Sequence, residues 1–257
     1  MSLNKSRLII DGSGRPTIPL LQLLELLDIP HDGMIASILE ACRSQWLQPG
    51  KERWEFAELY PDKKQQAYPL LKQLGCIDSC HPQKLHYDAA ILLGGHYSRM
   101  LSRMDFLQRE WKRGVRFKKL IILTGARSLD YKTEIVTDNL STEKEMILFL
   151  LKNSHLENEW EQIVVDVPML RQENGLVLRP NTSDTIREWI KLKPGPGAYL
   201  AISSQPFIGY HDACLRGLSP KALLIETVGP QVDKDTLFSI FLYNLQRWIE
   251  QAHIFSL

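Results

Sequence analysis

The stretch "YDAAILLGGHYSRMLSRMDFL", Tyr87 to Leu107, decides the fold. An apolar run over residues 89–93 stops at Gly94-Gly95, and a polar, arginine-dotted segment with helical spacing begins at once. That reads as a buried strand, a sharp glycine turn and the start of a helix. The pattern then recurs. Apolar runs at 120–124, 163–167, 199–203 and 222–227 have the length and branching of buried strands. Helical patterns lie between them at 97–114, 142–151, 182–192 and 209–217, with a last helix over 233–252. Strands alternating with helices imply right-handed crossovers. The expected fold is therefore α/β, a doubly wound, mainly parallel five-stranded sheet covered on both faces, with strand order 3-2-1-4-5.

Up to about residue 84 the texture is different, helical and without strands. "TIPLLQLLELLDI" has Pro19 in its first turn and leucines at helical spacing. "DGMIASILEACRSQWL" offers Asp32 as a cap and Ile35, Ile38, Leu39, Cys42 and Trp46 along one face. Shorter helices are expected at 54–59 and 63–74, the second ending at Gly75. "CIDSCHPQKLHY" then reads as a linker broken by Pro82. The expected division is a helical N-terminal domain over 1–84 and an α/β domain over 85–257.

Composition excludes more than it assigns. Lys+Arg 31 against Asp+Glu 30 leaves a net charge of +1, so no global field draws the chain to nucleic acid or anionic lipid. The basic run "KRGVRFKK" reads as a solvated helix end before a strand. Four cysteines in 257 residues do not make a disulfide framework, and the C-x3-C-H of Cys76, Cys80 and His81 has no metal-site spacing. No signal peptide and no membrane span is read, and the expected location is cytoplasmic.

In an open parallel sheet, ligands bind beyond the carboxyl ends of the strands, so the residues that follow each strand carry the functional reading. Gly94 and Gly95 allow close backbone approach and lead into helix N–H groups suited to an anion. Arg99 and Arg103 share a face of that helix. "LTGAR" supplies Thr124, Gly125 and Arg127. In "STEKE", Thr142 and Glu145 form a capping box. Glu143 is left to stabilise the helix dipole or to enter the cleft as a base. "RPNTSDTIREW" places Asn181, Thr182 and Asp184 at another helix start. "AISSQPFIGYHD" puts Ser203 and Ser204 at a strand end without the nucleophile-elbow pattern. His211, inside the helix that follows, is structural or a general base. Residues 127–140 are long enough for a lid, a binding loop or a plain excursion.

In their order along the chain, "DAAILLGG", "RMDFLQREWKRG", "LIILTGAR", "STEKEM", "RPNTSDT" and "LAISSQP" resemble the ElyC/SanA/YdcF-like domain of unknown function, over residues 87–218. The resemblance implies a Rossmann-like sheet, a bacterial setting and a polar cluster. Gly94, Gly95, Arg103, Gly125, Glu143, Asn181, Thr182, Asp184 and Ser204 match that cluster. The chain departs from the family pattern in several places. Ala126 replaces a glycine, Asp184 a glutamate and Thr185 an asparagine. Phe207 and Tyr210 stand where the family has His and Arg.

The expected function is binding of an anionic, phosphate- or nucleotide-bearing small molecule at the carboxyl edge of the sheet, by an enzyme of unknown reaction. Gly94, Gly95 and Arg127 would hold the anion, with Arg99, Arg103, Thr124, Gly125, Asn181, Thr182, Ser203 and Ser204 around it. Glu143 and Asp184 are the acid–base candidates. No metal site or cofactor is assigned, and the oligomeric state is open. The alternative is a non-catalytic sensing or assembly module that uses the same crevice, with the N-terminal helices as its partner surface.

Overall fold

The structure, a computed structural model, describes residues 5–134, 140–154, 159–171 and 177–255. In chain order the strands are β1 (Ala89–Leu93), β2 (Lys119–Gly125), β3 (Glu161–Val167), the two-residue β4 (Leu170–Arg171) and β5 (Val177–Leu178), β6 (Gly197–Ile202) and β7 (Leu223–Val228). Five of them form one sheet in the order β3-β2-β1-β6-β7, and every pairing in it is parallel. By rank this is third, second, first, fourth, fifth, the order expected from right-handed crossovers. The fold is thus a doubly wound, Rossmann-like α/β sheet. β4 and β5 form a separate antiparallel ribbon, too short to register as an apolar run.

Side chains alternate across a strand, and here the alternation builds two cores. All five residues of β1 are buried. Ala90 and Leu92, with Leu120, Ile122, Leu200 and Ile202, pack against Met100, Met104 and Leu107 of α4 (Tyr97–Lys112) and Met146 and Ile147 of α5 (Glu143–Lys152). Ala89, Ile91 and Leu93 face the other way. They meet Ile186 and Trp189 of α6 (Thr182–Lys191) and Cys214 and Leu215 of α7 (Ile208–Leu218). Each fully buried leucine or isoleucine contributes roughly 1.5–3 kcal/mol.

A third core lies outside the sheet. Leu20, Leu23 and Leu24 of α1 (Ile18–Leu26), Ile38, Cys42 and Trp46 of α2 (Ile35–Trp46), and Leu71 of α3 (Lys64–Gln73) close around Phe238, Leu242, Leu245, Trp248 and Ile249 of α8 (Phe238–Ile254). The N-terminal helices therefore share their apolar interior with the C-terminal helix. Polar ties fasten both parties to the loop between β6 and α7. Gln205 Nε2 donates to the Gly75 and Asp78 carbonyls at 2.7 and 3.0 Å. Asn244 Nδ2 donates to the Pro206 carbonyl at 2.5 Å.

Two local expectations need correction. The helix read at 54–59 is a single 3-10 turn, Arg53–Glu55, closed by a capping box between Glu52 and Glu55. Phe56 then takes an extended backbone and is buried, and one turn is too short to propagate a helix. Asp32 does not occupy the N-cap of α2, which is Met34. Its carboxylate accepts from the Met34 amide at 2.8 Å, in the turn before the helix. Among the described residues, no helix is long and apolar enough to cross a membrane.

Candidate functional site

β1 lies between β2 and β6. Its connection leads to α4 on one face of the sheet, whereas β6 leads to α7 on the other. The divergence opens a crevice at the carboxyl ends of the strands, and a cavity of about 690 Å³ occupies it. Gly94, Gly95, Gly125, Arg127, Glu143, Asn181 and Thr182 line it together with Arg99, Arg103 and His211. Its far wall comes from outside the sheet, with Glu52, Arg53 and Trp54 of the 3-10 turn and Ile240, Tyr243 and Arg247 of α8.

The glycine pair leaves room for the chain's own side chains. A Cβ on Gly94 would stand 2.2 Å from Glu143 Oε1 and 2.8 Å from the Leu123 carbonyl, and one on Gly95 would stand 3.3 Å from Arg103 Nη1. Gly125 similarly accommodates Pro180, whose Cγ would lie 2.6 Å from a Cβ there.

Glu143, the first residue of α5, enters the cleft beneath Gly94. Its Oε2 accepts from Arg127 Nε at 2.9 Å, and Oε1 accepts from the Thr124 hydroxyl at 3.4 Å. Arg127 continues the chain of charges. Its guanidinium grips Glu134 through both terminal nitrogens, Nη2 donating to Oε1 at 2.9 Å. Glu134 Oε1 also accepts from the Tyr97 amide at 2.9 Å. The first amide of α4, expected to face a bound anion, thus has a carboxylate of the chain as its partner. The two acids titrate in opposite directions. Burial raises the Glu143 carboxyl above its ordinary range, even against the nearby charges of Arg127, Arg179 and Arg103. Burial acts on Glu134 in the same sense, but the Arg127 hydrogen bonds and charge outweigh it and bring the carboxyl down to about 2.

Arg103 is a brace across the switch point. It is 2% exposed. Nη1 donates to the Leu93 and Gly94 carbonyls at 2.5 and 2.7 Å, while Nε and Nη2 donate to Ser204 Oγ at 3.3 and 3.2 Å. The ends of β1 and β6 are thereby tied together. Ser203 is fully buried, with its Oγ 2.7 Å from His211 Nδ1. Burial first, and then the charges of Arg103, Arg53 and Arg99, push the His211 imidazole well below its ordinary value. It is neutral at physiological pH, with Nδ1 engaged.

The opposite side has cations without carboxylates. Arg99 lies over the Phe207 ring at 4.5 Å. Arg53 lies 5.0 Å from the same centroid and 5.3 Å from that of Tyr243. Such contacts are weakly favourable and do not neutralise charge. Burial, then Arg53 and Arg103, push the Arg99 guanidinium down to about 9. Burial works to raise the Tyr243 phenol, yet the charges of Arg53 and Arg247 outweigh it and bring it below its ordinary value. Among the described residues, seven arginines line the cavity (Arg53, Arg99, Arg103, Arg127, Arg179, Arg187 and Arg247) against two glutamates, Glu52 and Glu143. Four of the seven have a carboxylate partner: Arg127, Arg179 with Glu52, Arg187 with Asp184, and Arg247 with Glu250. Arg53, Arg99 and Arg103 form no ion pair among the described residues.

Asn181 is the N-cap of α6 and accepts from the Ser183 and Asp184 amides at 2.8 and 3.3 Å. Asp184 completes that capping box, accepting from the Asn181 amide at 2.9 Å, and faces Arg187 at 3.4 Å. It is absent from the cavity wall, as are Thr124, Ser203 and Ser204. Sequence reading did not single out Arg53, Trp54 or Tyr243. The signal for the first two was the interleaving of charge and aromatic in "KERWEF", outside the α/β segment.

No protein-family model matches the chain, and no curated protein is significantly similar to it. Among the described residues, no group of three or more His, Cys, Asp or Glu side chains could hold a metal ion.

Proposed function

We propose that the cleft binds a phosphate-bearing small molecule, held by Arg53 and Arg99 beside the glycine turn. One observation carries this reading: three guanidiniums converge on the cavity with no carboxylate partner among the described residues. Buried like charges destabilise a fold unless an opposite charge joins them. An anion supplies that charge, and guanidinium geometry suits phosphoryl oxygens. The motifs that resemble the ElyC/SanA/YdcF-like domain add support, since seven of their matched positions line this one cavity: Gly94, Gly95, Arg103, Gly125, Glu143, Asn181 and Thr182.

The chemistry proposed is proton transfer on that bound anion by Glu143 or His211, a carboxyl and an imidazole in the cavity wall whose burial disfavours their charged forms. A binding-only role is favoured by a different observation. Both wall glutamates are ion-paired, Glu143 with Arg127 and Glu52 with Arg179.

Thermal-shift titration with inorganic phosphate and pyrophosphate tests the binding. Stabilisation should grow with ligand concentration and vanish in Arg53→Met/Arg99→Met. A wild-type protein indifferent to both anions would defeat the reading. Turnover lost in Glu143→Gln with binding retained identifies an enzyme; binding without turnover in the wild type identifies a sensor.

A further inference from the structure

We infer that the ligand is a nucleotide, in which a flat base is joined to at least two phosphoryl groups; this deepens the anion-binding reading and rests on it. Two segments distant in sequence each bring an aromatic ring beside a guanidinium. The 3-10 turn supplies Arg53 and Trp54, and the start of α4 supplies His96 and Arg99. The Trp54 and His96 rings meet with centroids 5.6 Å apart. The ring nitrogens of His96 lie 3.3 Å from the Ser98 hydroxyl and 3.2 Å from that of Thr133. Burial lowers the affinity of His96 for a proton. The pair is therefore an uncharged π surface next to a cationic one.

Size and chemistry both point past a simple anion. A cavity of about 690 Å³ falls within the range of roughly 300–1,000 Å³ that holds organic ligands. Inorganic phosphate or a sugar phosphate would satisfy the arginines and leave the face of Trp54 uncovered. A base covers it by stacking, which tolerates any base because each has a π face. Arg53 and Arg99 both lean on Phe207. That shared support keeps two guanidiniums in one neighbourhood, close enough for the charge of Arg53 to act on Arg99, and a ligand with more than one phosphoryl group can engage both.

Isothermal titration of the full chain with ADP, GDP, CDP, UDP, ribose 5-phosphate and inorganic pyrophosphate tests the inference. At least one nucleoside diphosphate should bind on the order of tenfold more tightly than pyrophosphate or ribose 5-phosphate. Trp54→Leu, which keeps apolar bulk without a π face, should erase that preference and leave pyrophosphate affinity unchanged. Trp54→Phe should retain most of it, and Arg99→Met should weaken nucleotide and pyrophosphate alike. Pyrophosphate binding as tightly as all four diphosphates would overturn the inference while leaving the anion reading intact. So would a Trp54→Leu protein that loses pyrophosphate and nucleotide equally. Failure of every compound, pyrophosphate included, would instead remove the anion reading beneath it.

Discussion

Arg127 and Arg99 stand at the same rim of the sheet, yet their surroundings differ in kind. Arg127 has Glu134 and Glu143 within hydrogen-bond reach, and Glu134 in turn accepts from the first amide of α4. Arg99 has the Phe207 ring beneath it and other arginines beside it. The first neighbourhood is electrostatically complete and holds the loop, the helix start and α5 together. The second is incomplete and attracts negative charge from outside. Basic residues in one cleft can therefore belong to structure or to recognition, and what separates the two is whether the chain supplies their partners, carboxylates for Arg127 and carbonyls with a hydroxyl for Arg103.

Substitutions on the two sides should have unlike consequences. Arg127→Met leaves two buried carboxylates unpaired and should lower unfolding free energy by about 3–5 kcal/mol, read by urea denaturation at pH 7. A loss under about 1 kcal/mol would merge the two neighbourhoods into one class. Gly94→Ala comes next, at about 3 kcal/mol, because the added methyl overlaps the Glu143 carboxylate and the Leu123 carbonyl. Asn181→Ala should cost about 1 kcal/mol through the lost cap of α6, a local effect with no change in anion affinity. Arg99→Met should change the stability of the ligand-free protein by less than about 0.5 kcal/mol while weakening anion binding. If it destabilises as Arg127→Met does, Arg99 is a structural brace.

The pH dependence sharpens the same contrast. The Glu134 carboxyl is depressed to about 2 in the folded protein, against about 4.3 in an unfolded chain. Its contribution is fully present above the unfolded value and is lost as pH falls from there through about 2. The stability difference between wild type and Arg127→Met should therefore narrow across that window. Glu143, raised by burial, acts in the opposite sense. Denaturation curves at stepped pH check the narrowing, and a gap that stays constant from pH 7 to pH 2 contradicts it.

The sheet was readable from sequence because each strand is a short branched apolar run bounded by turn residues, and because crossover handedness leaves few orders for five such strands. The run over 89–93 coincides with β1 residue for residue. The purpose of the glycines was not readable in the same way. A Gly-Gly turn announces a close approach but not by what, and its occupant, Glu143, lies about fifty positions onward. Arg103 and Arg99 share a helix face, and only coordinates separate the strand-end brace from the unpaired cation. Phe207 and Tyr243 become shelves for arginines once α7 and α8 are packed.

The shared interior of the N-terminal helices and α8 has a consequence for biosynthesis. Helices α1 to α3 have no complete hydrophobic partner until α8 has been made, and such long-range closure is slow relative to local folding. Arg53 and Trp54 reach their positions opposite Tyr243 only at that final step. The parallel sheet can assemble earlier, so its crevice begins as an open groove and becomes a walled chamber once the 3-10 turn and α8 come together across it.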